Sequence, residues 1–252
     1  MFKKIHMSRE IQDKTRISKF LASYGFGSRR EIEKMIQEGR IQLNGKKINS
    51  PVNFVNKKDS IKLDGKLLTF KKFTQIYKFY KPVDCICSKN RQDERKIVYD
   101  ILPKKFHNFI FAGRLDVNSE GLLIITNSGE IARNLELPQN EFLRRYKIRV
   151  YGKFDRDKLD ELSKGKKINN IFYKPFSYKV TNQDKKNFWI DICLKEGKNR
   201  EIRELMRSIK LQVNKLSRLE FGPFKIDNLE PGEIKVATKK EIEEYESYIR
   251  KI

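Results

Sequence analysis

The segment Gly113–Gly129, GRLDVNSEGLLIITNSG, constrains the fold more than any other part of the chain. Its Leu122–Thr126 portion is an unbroken apolar run of strand length, rich in β-branched residues. Such a run, with no polar position to face water, predicts a strand buried on both faces. Asn127-Ser128-Gly129 is a turn cluster, and Glu130–Leu135 predicts a helix after it. Ahead of the strand sits a polar turn with one acid, Asp116, next to Arg114. Gly113 and Gly121 bracket that acid, where backbone can bend or approach a ligand with no Cβ in the way. Taken alone, an Asp in a Gly-bounded turn more often bonds its own backbone than does chemistry. A functional role for Asp116 therefore needs partners from other segments.

Those partners come from a mixed pattern of strands and helices. Gln75–Tyr80 reads as a strand ended by Lys81-Pro82. Ile97–Leu102 reads as a helical turn stopped by Pro103. Tyr146, Ile148 and Val150 alternate with Lys147 and Arg149, so the Tyr146 ring points inward. Asp155–Lys164 is a helix with acids in its first turn. Phe188, Ile190, Ile192 and Leu194 share one strand face. Asn199–Lys210 predicts a helix with Ile202, Leu205, Met206 and Ile209 on its core side, and Arg200, Arg203 and Arg207 beside that side. Val213–Phe221 is a last strand before Gly222-Pro223, and an amphipathic helix starts at Lys239. Many strands with few helices between them imply an α+β domain with a mixed or antiparallel sheet.

The N-terminal part has a different texture. Residues 1–13 read as a loose leader. Ile17, Phe20, Leu21 and Tyr24 fall on one helix face. Ser28-Arg29-Arg30-Glu31 is a capping box opening a second helix, with Ile32, Met35 and Ile36 apolar. Gly39 ends it, Ile41–Leu43 alternates like a strand, and Asn44-Gly45 is a hairpin turn. Asp59–Leu63 is another short strand. The expected organisation is a small two-helix and hairpin domain over 14–65, a linker over 66–74 and a larger domain over 75–252.

Charge narrows the partner. The 252 residues carry 56 Lys and Arg against 33 Asp and Glu, a formal net charge of +23. The cations are spread along the chain, which favours a polyanion, since each neutralised phosphate releases counterions. Three cysteines, Cys85, Cys87 and Cys193, fit neither a disulfide framework nor a four-ligand zinc site. With only His6 and His107 besides, no metal site is expected. No apolar stretch approaches membrane-spanning length, and the start lacks the apolar core of a signal peptide. A cytoplasmic protein with no membrane partner is expected.

Several stretches resemble known motifs. Ser28-Arg29-Arg30, Gly39 and Asn44-Gly45 resemble the S4 RNA-binding domain. Gly113–Gly129 resembles the GRLD…GLL…TN-x-G motif of pseudouridine synthases, with Ser119 where Thr is common. Arg145-Tyr146-Lys147-Ile148 is similar to their Tyr-bearing strand. Glu196-Gly197-Lys198-Asn199-Arg200-Glu201-Ile202-Arg203 resembles their EG-x-NR helix start. Leu216-Ser217-Arg218 with Gly222-Pro223-Phe224 resembles their last motif. Together they resemble the Rsu-type synthases of ribosomal RNA, and LRRYKIRVYG and EGKNREIR look more like the large-subunit (23S) members than the small-subunit (16S) one.

The resemblance implies breaking the N1–C1′ bond of a uridine, rotating the base and rejoining it through C5, with no cofactor. It implies catalytic roles for Asp116, Tyr146, Arg203 and Leu216. Asp116 would either attack C1′ or act as a base on the sugar. Arg203 would pair with it, Tyr146 would stack on the base and help remove the C5 proton, and Leu216 would close the apolar wall. Arg114 would touch the RNA or fill the space the flipped base leaves, and Arg200 would join the RNA contacts. Arg16, Lys19, Ser28, Arg29, Arg30, Lys34, Arg40 and Lys46 would hold RNA from the S4 domain. The expected partner is ribosomal RNA, 23S or a precursor particle, and the expected state a monomer. A non-catalytic S4 assembly factor would share the basic helices but have no use for Asp116 and Arg203 in one pocket. An S4-linked methyltransferase would need a Gly-rich loop after a strand, and Gly25-Phe26-Gly27 lies inside the S4 unit.

Overall fold

A computed structural model describes residues 14–56, 58–70, 74–91, 93–184 and 187–252. The leader expected over residues 1–13 lies outside the described residues. Packing divides the chain into two units, Met1–Thr74 and Gln75–Ile252.

In the first unit, helices Ile17–Ser23 and Arg29–Gln37 pack through Ile17, Leu21, Ile32 and Ile36 onto Ile41 and Ile61, all sealed from water. The capping box forms: the Ser28 hydroxyl accepts the Glu31 N–H, and the Glu31 carboxylate accepts the Ser28 N–H. Asn44 and Gly45 both take left-handed backbone, the geometry a tight hairpin needs. The small sheet has four strands, in the order Lys46–Lys47, Ile41–Leu43, Ile61–Leu63, Lys66–Leu67. This corrects the boundary expected from sequence. Lys66–Leu67 lies in the sheet, and the Phe70 ring packs 4.9 Å from Phe20 and 5.0 Å from Tyr24. Residues 66–70 therefore belong to the small unit, held there by sheet pairing and by aromatic contacts with the first helix and its C-cap.

The larger unit is an α+β domain around a mixed sheet, nine-stranded among the described residues. Its main path runs Ser177–Asp184, Asn187–Leu194, Arg144–Tyr151, Gln212–Phe221, Glu120–Thr126, Ile76–Lys81, Ile234–Val236. Neighbours are antiparallel except at the centre, where Glu120–Thr126 meets Gln212–Phe221 in parallel through Glu120–Ser217 and Gly121–Arg218. The apolar run is buried on both faces, as its sequence requires. Leu122 and Ile124 pack with Leu135, Phe142, Phe224 and Tyr245 on one side. Leu123 and Ile125 pack with Phe79, Val98 and Phe106 on the other. A further core joins Ile148, Val150, Ile190 and Ile192 to Leu205 and Met206 of the Glu201–Ser208 helix. That helix starts later than periodicity suggests, because Arg200 takes left-handed backbone (φ 52°). The C-terminal helix, Lys239–Lys251, is latched to the sheet by the buried Lys78 ammonium, 2.8 Å from Glu241 and 2.5 Å from Asp227. No helix among the described residues is long and apolar enough to cross a membrane.

Gly121 makes the central crossing possible. Its φ is 106°, and a Cβ there would lie 2.4 Å from the Arg218 carbonyl oxygen and 2.7 Å from the Arg218 nitrogen. Both obstacles are backbone of the adjoining strand and cannot rotate away. Gly121→Ala is expected to lower the unfolding free energy by about 3 kcal/mol in urea denaturation. A loss under about 1 kcal/mol would show that the two strands tolerate a wider separation.

Candidate active site

The loop carrying Asp116 leaves the Ile110–Ala112 strand through Gly113 (φ 73°) and ends where Glu120–Thr126 begins. The Gly113 N–H donates to Glu136 Oε1 at 2.7 Å. Within the loop the Ser119 N–H donates to the Asp116 carbonyl at 3.0 Å. The carbonyls of Asp116, Asn118 and Ser119 are also met by two cations. Lys81 is fully buried, and its ammonium donates to Ser119 O at 2.7 Å, Pro82 O at 2.9 Å and Asp116 O at 3.1 Å. Burial pushes this ammonium below its ordinary pKa, against the pull of Cys85, Cys87, Asp116 and Asp84. Arg203 supplies the second anchor. Its Nη2 donates to Asn118 O at 2.8 Å and Ser119 Oγ at 3.3 Å, and its Nη1 to Val213 O at 3.0 Å.

The Asp116 carboxylate itself is partly open to solvent. It faces Arg200, with Nη1 at 3.8 Å from Oδ2, a charge contact longer than a hydrogen bond. This corrects the pairing expected from sequence: Arg200 stands at the carboxylate, and Arg203 grips the backbone of the loop. The reason is local. Left-handed backbone at Arg200 takes it out of the helical series, so it does not share an edge with Arg203 and Arg207. Arg203 still feels Asp116: burial and the Arg200 charge lower its pKa, and the Asp116 charge raises it.

Tyr146 is buried on the Arg144–Tyr151 strand, paired across to Ile192 on one side and Arg218 on the other. It shares an apolar cluster with Leu115 and Leu216. Asp116, Tyr146, Arg203 and Leu216 all line one cleft of about 1100 Å³, with Arg114 and Arg200. Three distant segments thus converge on the acid singled out from sequence.

Other groups of the cleft were missed. Arg144 and Arg218 are buried, with guanidinium carbons 4.6 and 4.8 Å from the centre of the Phe221 ring. Arg144 donates to Phe142 O and Leu135 O, both at 3.0 Å, and Arg218 Nε to Leu122 O at 2.8 Å. Burial, and then the neighbouring Arg218, lower the Arg144 pKa, opposed by Tyr146, Glu201 and Glu136. Glu201 is a buried acid lining the same cleft, and Glu196 is a second buried acid beside it. Strand phase carried a signal for two of these four. Arg144 is in register with inward Tyr146 and Ile148, and Glu196 continues the inward series Ile190, Ile192, Leu194. Lys81 had no such mark, because its burial depends on a loop far along the chain.

The cations expected to hold RNA from the first unit, Arg16, Lys19, Arg29, Arg30, Lys34, Arg40 and Lys46, are all exposed. Arg40 is engaged, donating to Asp64 from Nε at 2.9 Å and Nη2 at 2.7 Å. The Ser28 hydroxyl is occupied by its capping bond.

Comparison with known proteins gives this geometry a family. A family profile described as RNA pseudouridylate synthase matches residues 75–208, and one described as S4 domain matches residues 15–61. An uncharacterized RNA pseudouridine synthase of Rickettsia felis is 42% identical over 228 residues, covering 90% of this chain and 99% of that protein. The ribosomal large subunit pseudouridine synthase B of Buchnera aphidicola from Acyrthosiphon pisum is 40% identical over 214 residues, covering 82% of this chain and 86% of that one. A crystal structure of a pseudouridylate synthase agrees in fold, with TM-score 0.63 at 24% identity over 91% of this chain and 99% of that one. On the profile match over most of the larger unit and the identity to relatives covered almost end to end, the chain belongs to the RNA pseudouridine synthase family.

Proposed function

We propose that this enzyme isomerises uridine to pseudouridine in large-subunit (23S) ribosomal RNA, with Asp116 as the reacting carboxylate. The observation that carries the assignment is the placement of Asp116. Its loop is pinned from below by Lys81 and Arg203, while its carboxylate is left open to the cleft opposite Tyr146 and Leu216. A side chain held this way meets a substrate with little reorganisation.

The reaction breaks N1–C1′ and forms C5–C1′. The C5 proton leaves, N1 gains one, and no net atom or electron is transferred. The uridine has to leave its stack to enter the cleft. Asp116 then reacts at the sugar, either bonding to C1′ or taking a sugar proton. Arg200 stabilises the carboxylate charge from the front, and Arg203 fixes the loop that presents it. Tyr146 stacks on the base and helps move the C5 proton, and Leu216 keeps the wall apolar and water out. Arg114, exposed at the mouth, contacts RNA or occupies the gap the flipped base leaves.

The choice of the large subunit rests on relatives. The Buchnera protein and one from Yersinia pestis, 38% identical over 216 residues, carry the name ribosomal large subunit pseudouridine synthase B. The exposed cations of the S4 unit, Arg16, Lys19, Arg29, Arg30, Lys34 and Lys46, supply backbone affinity and register, with Arg40 and Ser28 shaping that face. In this reading the protein works as a cytoplasmic monomer, with residues 66–70 in the S4 domain.

Asp116→Asn keeps the shape of the side chain and removes its charge. It is expected to cut turnover by about 10³-fold or more, with RNA affinity within about threefold of the parent. Mapping pseudouridine in large-subunit RNA after incubation with each protein checks this. Modification by the variant at the parent rate would remove Asp116 from the chemistry.

A further inference from the structure

Glu201 lines the cleft with a second buried acid, Glu196, beside it, and the chemistry above uses neither. Each is 4% exposed. They arrive by different routes, Glu196 beyond the Asn187–Leu194 strand and Glu201 as the first residue of the Glu201–Ser208 helix. Glu196 is well supplied: its Oε1 accepts the Lys174 N–H at 2.7 Å, and its Oε2 pairs with the Lys198 ammonium. Glu201 is not. Its Oε2 accepts the Lys198 N–H at 2.9 Å, but its Oε1 is buried with no donor among the described residues.

The charged and titratable groups around Glu201 do not remedy this. Lys198 is committed to Glu196 and lies over the Tyr173 ring. The Lys174 side chain pairs with Glu141. Arg144 spends its hydrogen bonds on the Phe142 and Leu135 carbonyls. Glu204, on the same helix, pairs with Arg207, and with Glu196 it adds to the negative charge around Tyr173. An ionised Glu201 would therefore place a second buried negative charge beside Glu196. A proton on Glu201 removes that charge and gives the bare oxygen a bond to make.

We propose that Glu201 works as a neutral carboxylic acid hydrogen-bonded to Glu196, and that this proton is a positioning device for Arg200. Glu201 closes the Lys198–Glu201 turn from both ends: its carboxyl accepts the Lys198 N–H, and its own N–H donates to the Lys198 carbonyl at 3.3 Å. The turn carries Arg200 in left-handed backbone, a conformation that persists for a residue with a Cβ only where its surroundings impose it. Arg200 is the residue this turn brings to Asp116. Loss of the proton drives the two carboxylates apart, loosens the turn and withdraws Arg200. The inference rests on the reading that Asp116 is the reacting acid.

Burial, and then the carboxyl of Glu196, push the Glu201 pKa up to about 8. The folded protein thus holds a proton that the unfolded chain releases in the ordinary carboxylate range. Its stabilising effect is complete below that range and is lost as pH rises toward the folded value.

Glu201→Gln keeps a neutral donor and acceptor with no proton to lose, whereas Glu201→Ala opens the turn at any pH. For the parent, kcat is expected to fall about tenfold between pH 7 and pH 9.5, with KM for RNA little changed. In Glu201→Gln that alkaline fall is expected to vanish, and Glu201→Ala is expected to show low kcat throughout. The melting temperature of Glu201→Gln relative to the parent is expected to rise between pH 5 and pH 8, and the 13C signal of the Glu201 carboxyl to titrate above pH 7. Melting curves that stay parallel, with a carboxyl titrating near pH 4.5, would overturn the shared proton. An alkaline fall in Glu201→Gln equal to that of the parent would overturn its role in positioning. Full activity in Asp116→Asn would instead refute the reading of Asp116, while the melting and 13C measurements would still decide the proton.

Discussion

Two cations beneath a loop hold the site together. The carbonyls of Asp116, Asn118 and Ser119 turn toward the protein, where an unmet carbonyl is costly. Lys81 and Arg203 meet them with three donors from two separate elements. Among the described residues the Lys81 ammonium has no carboxylate in ion-pair contact, and it donates to backbone oxygens with the Cys85 thiol beside it. Burying a charge on such terms disfavours the folded state relative to an apolar side chain. What the arrangement gives in return is a loop whose main chain is fixed while its one carboxylate stays free to meet substrate. The close parallel crossing at Gly121 serves the same end, because it sets the start of the Glu120–Thr126 strand against the Arg218 backbone.

The far wall of the cleft follows a similar rule. Arg144 and Arg218 share the Phe221 ring and direct donors to main-chain oxygens of Phe142, Leu135 and Leu122. Like charges close together are unfavourable, and the depressed pKa of Arg144 records that cost beside its burial. The aromatic face offsets part of it. The cleft is thus walled by guanidinium groups that belong to the scaffold, while Arg114 and Arg200 remain exposed enough to meet RNA.

Local chemistry made much of this legible. The run Leu122–Ile125 demanded cover on both faces, and two separate clusters supply it. Ser28 with Glu31, Asn44 with Gly45, and the alternation from Tyr146 to Val150 each encode their geometry within a few residues, and each is observed. The failures share one cause, dependence on distant contacts or on a single backbone angle. The resemblance paired Arg203 with Asp116, and periodicity placed Arg200 in the same helical series; one left-handed residue puts Arg200 at the carboxylate instead. The stretch 66–70 looked like a joint because Phe70 finds its partners on a helix far upstream. Lys81-Pro82 reads only as the end of a strand, and the returning Asp116 loop is what covers the Lys81 ammonium. Glu201 carried no mark of burial in the sequence, because its neighbour Glu196 arrives from beyond the Asn187–Leu194 strand.

The central claim is that one uridine enters the cleft between Asp116 and Tyr146 and reacts there. A fluorine at C5 cannot leave as the C5 proton does, so RNA carrying 5-fluorouridine at the modified position should stall in the site. The crystal structure of that complex is the most direct test. The account expects the fluorinated base out of its stack, its ring on Tyr146 and against Leu216, with the Asp116 carboxylate at the sugar and Arg200 beside it. A base still stacked in the RNA, or seated away from Asp116, would contradict it.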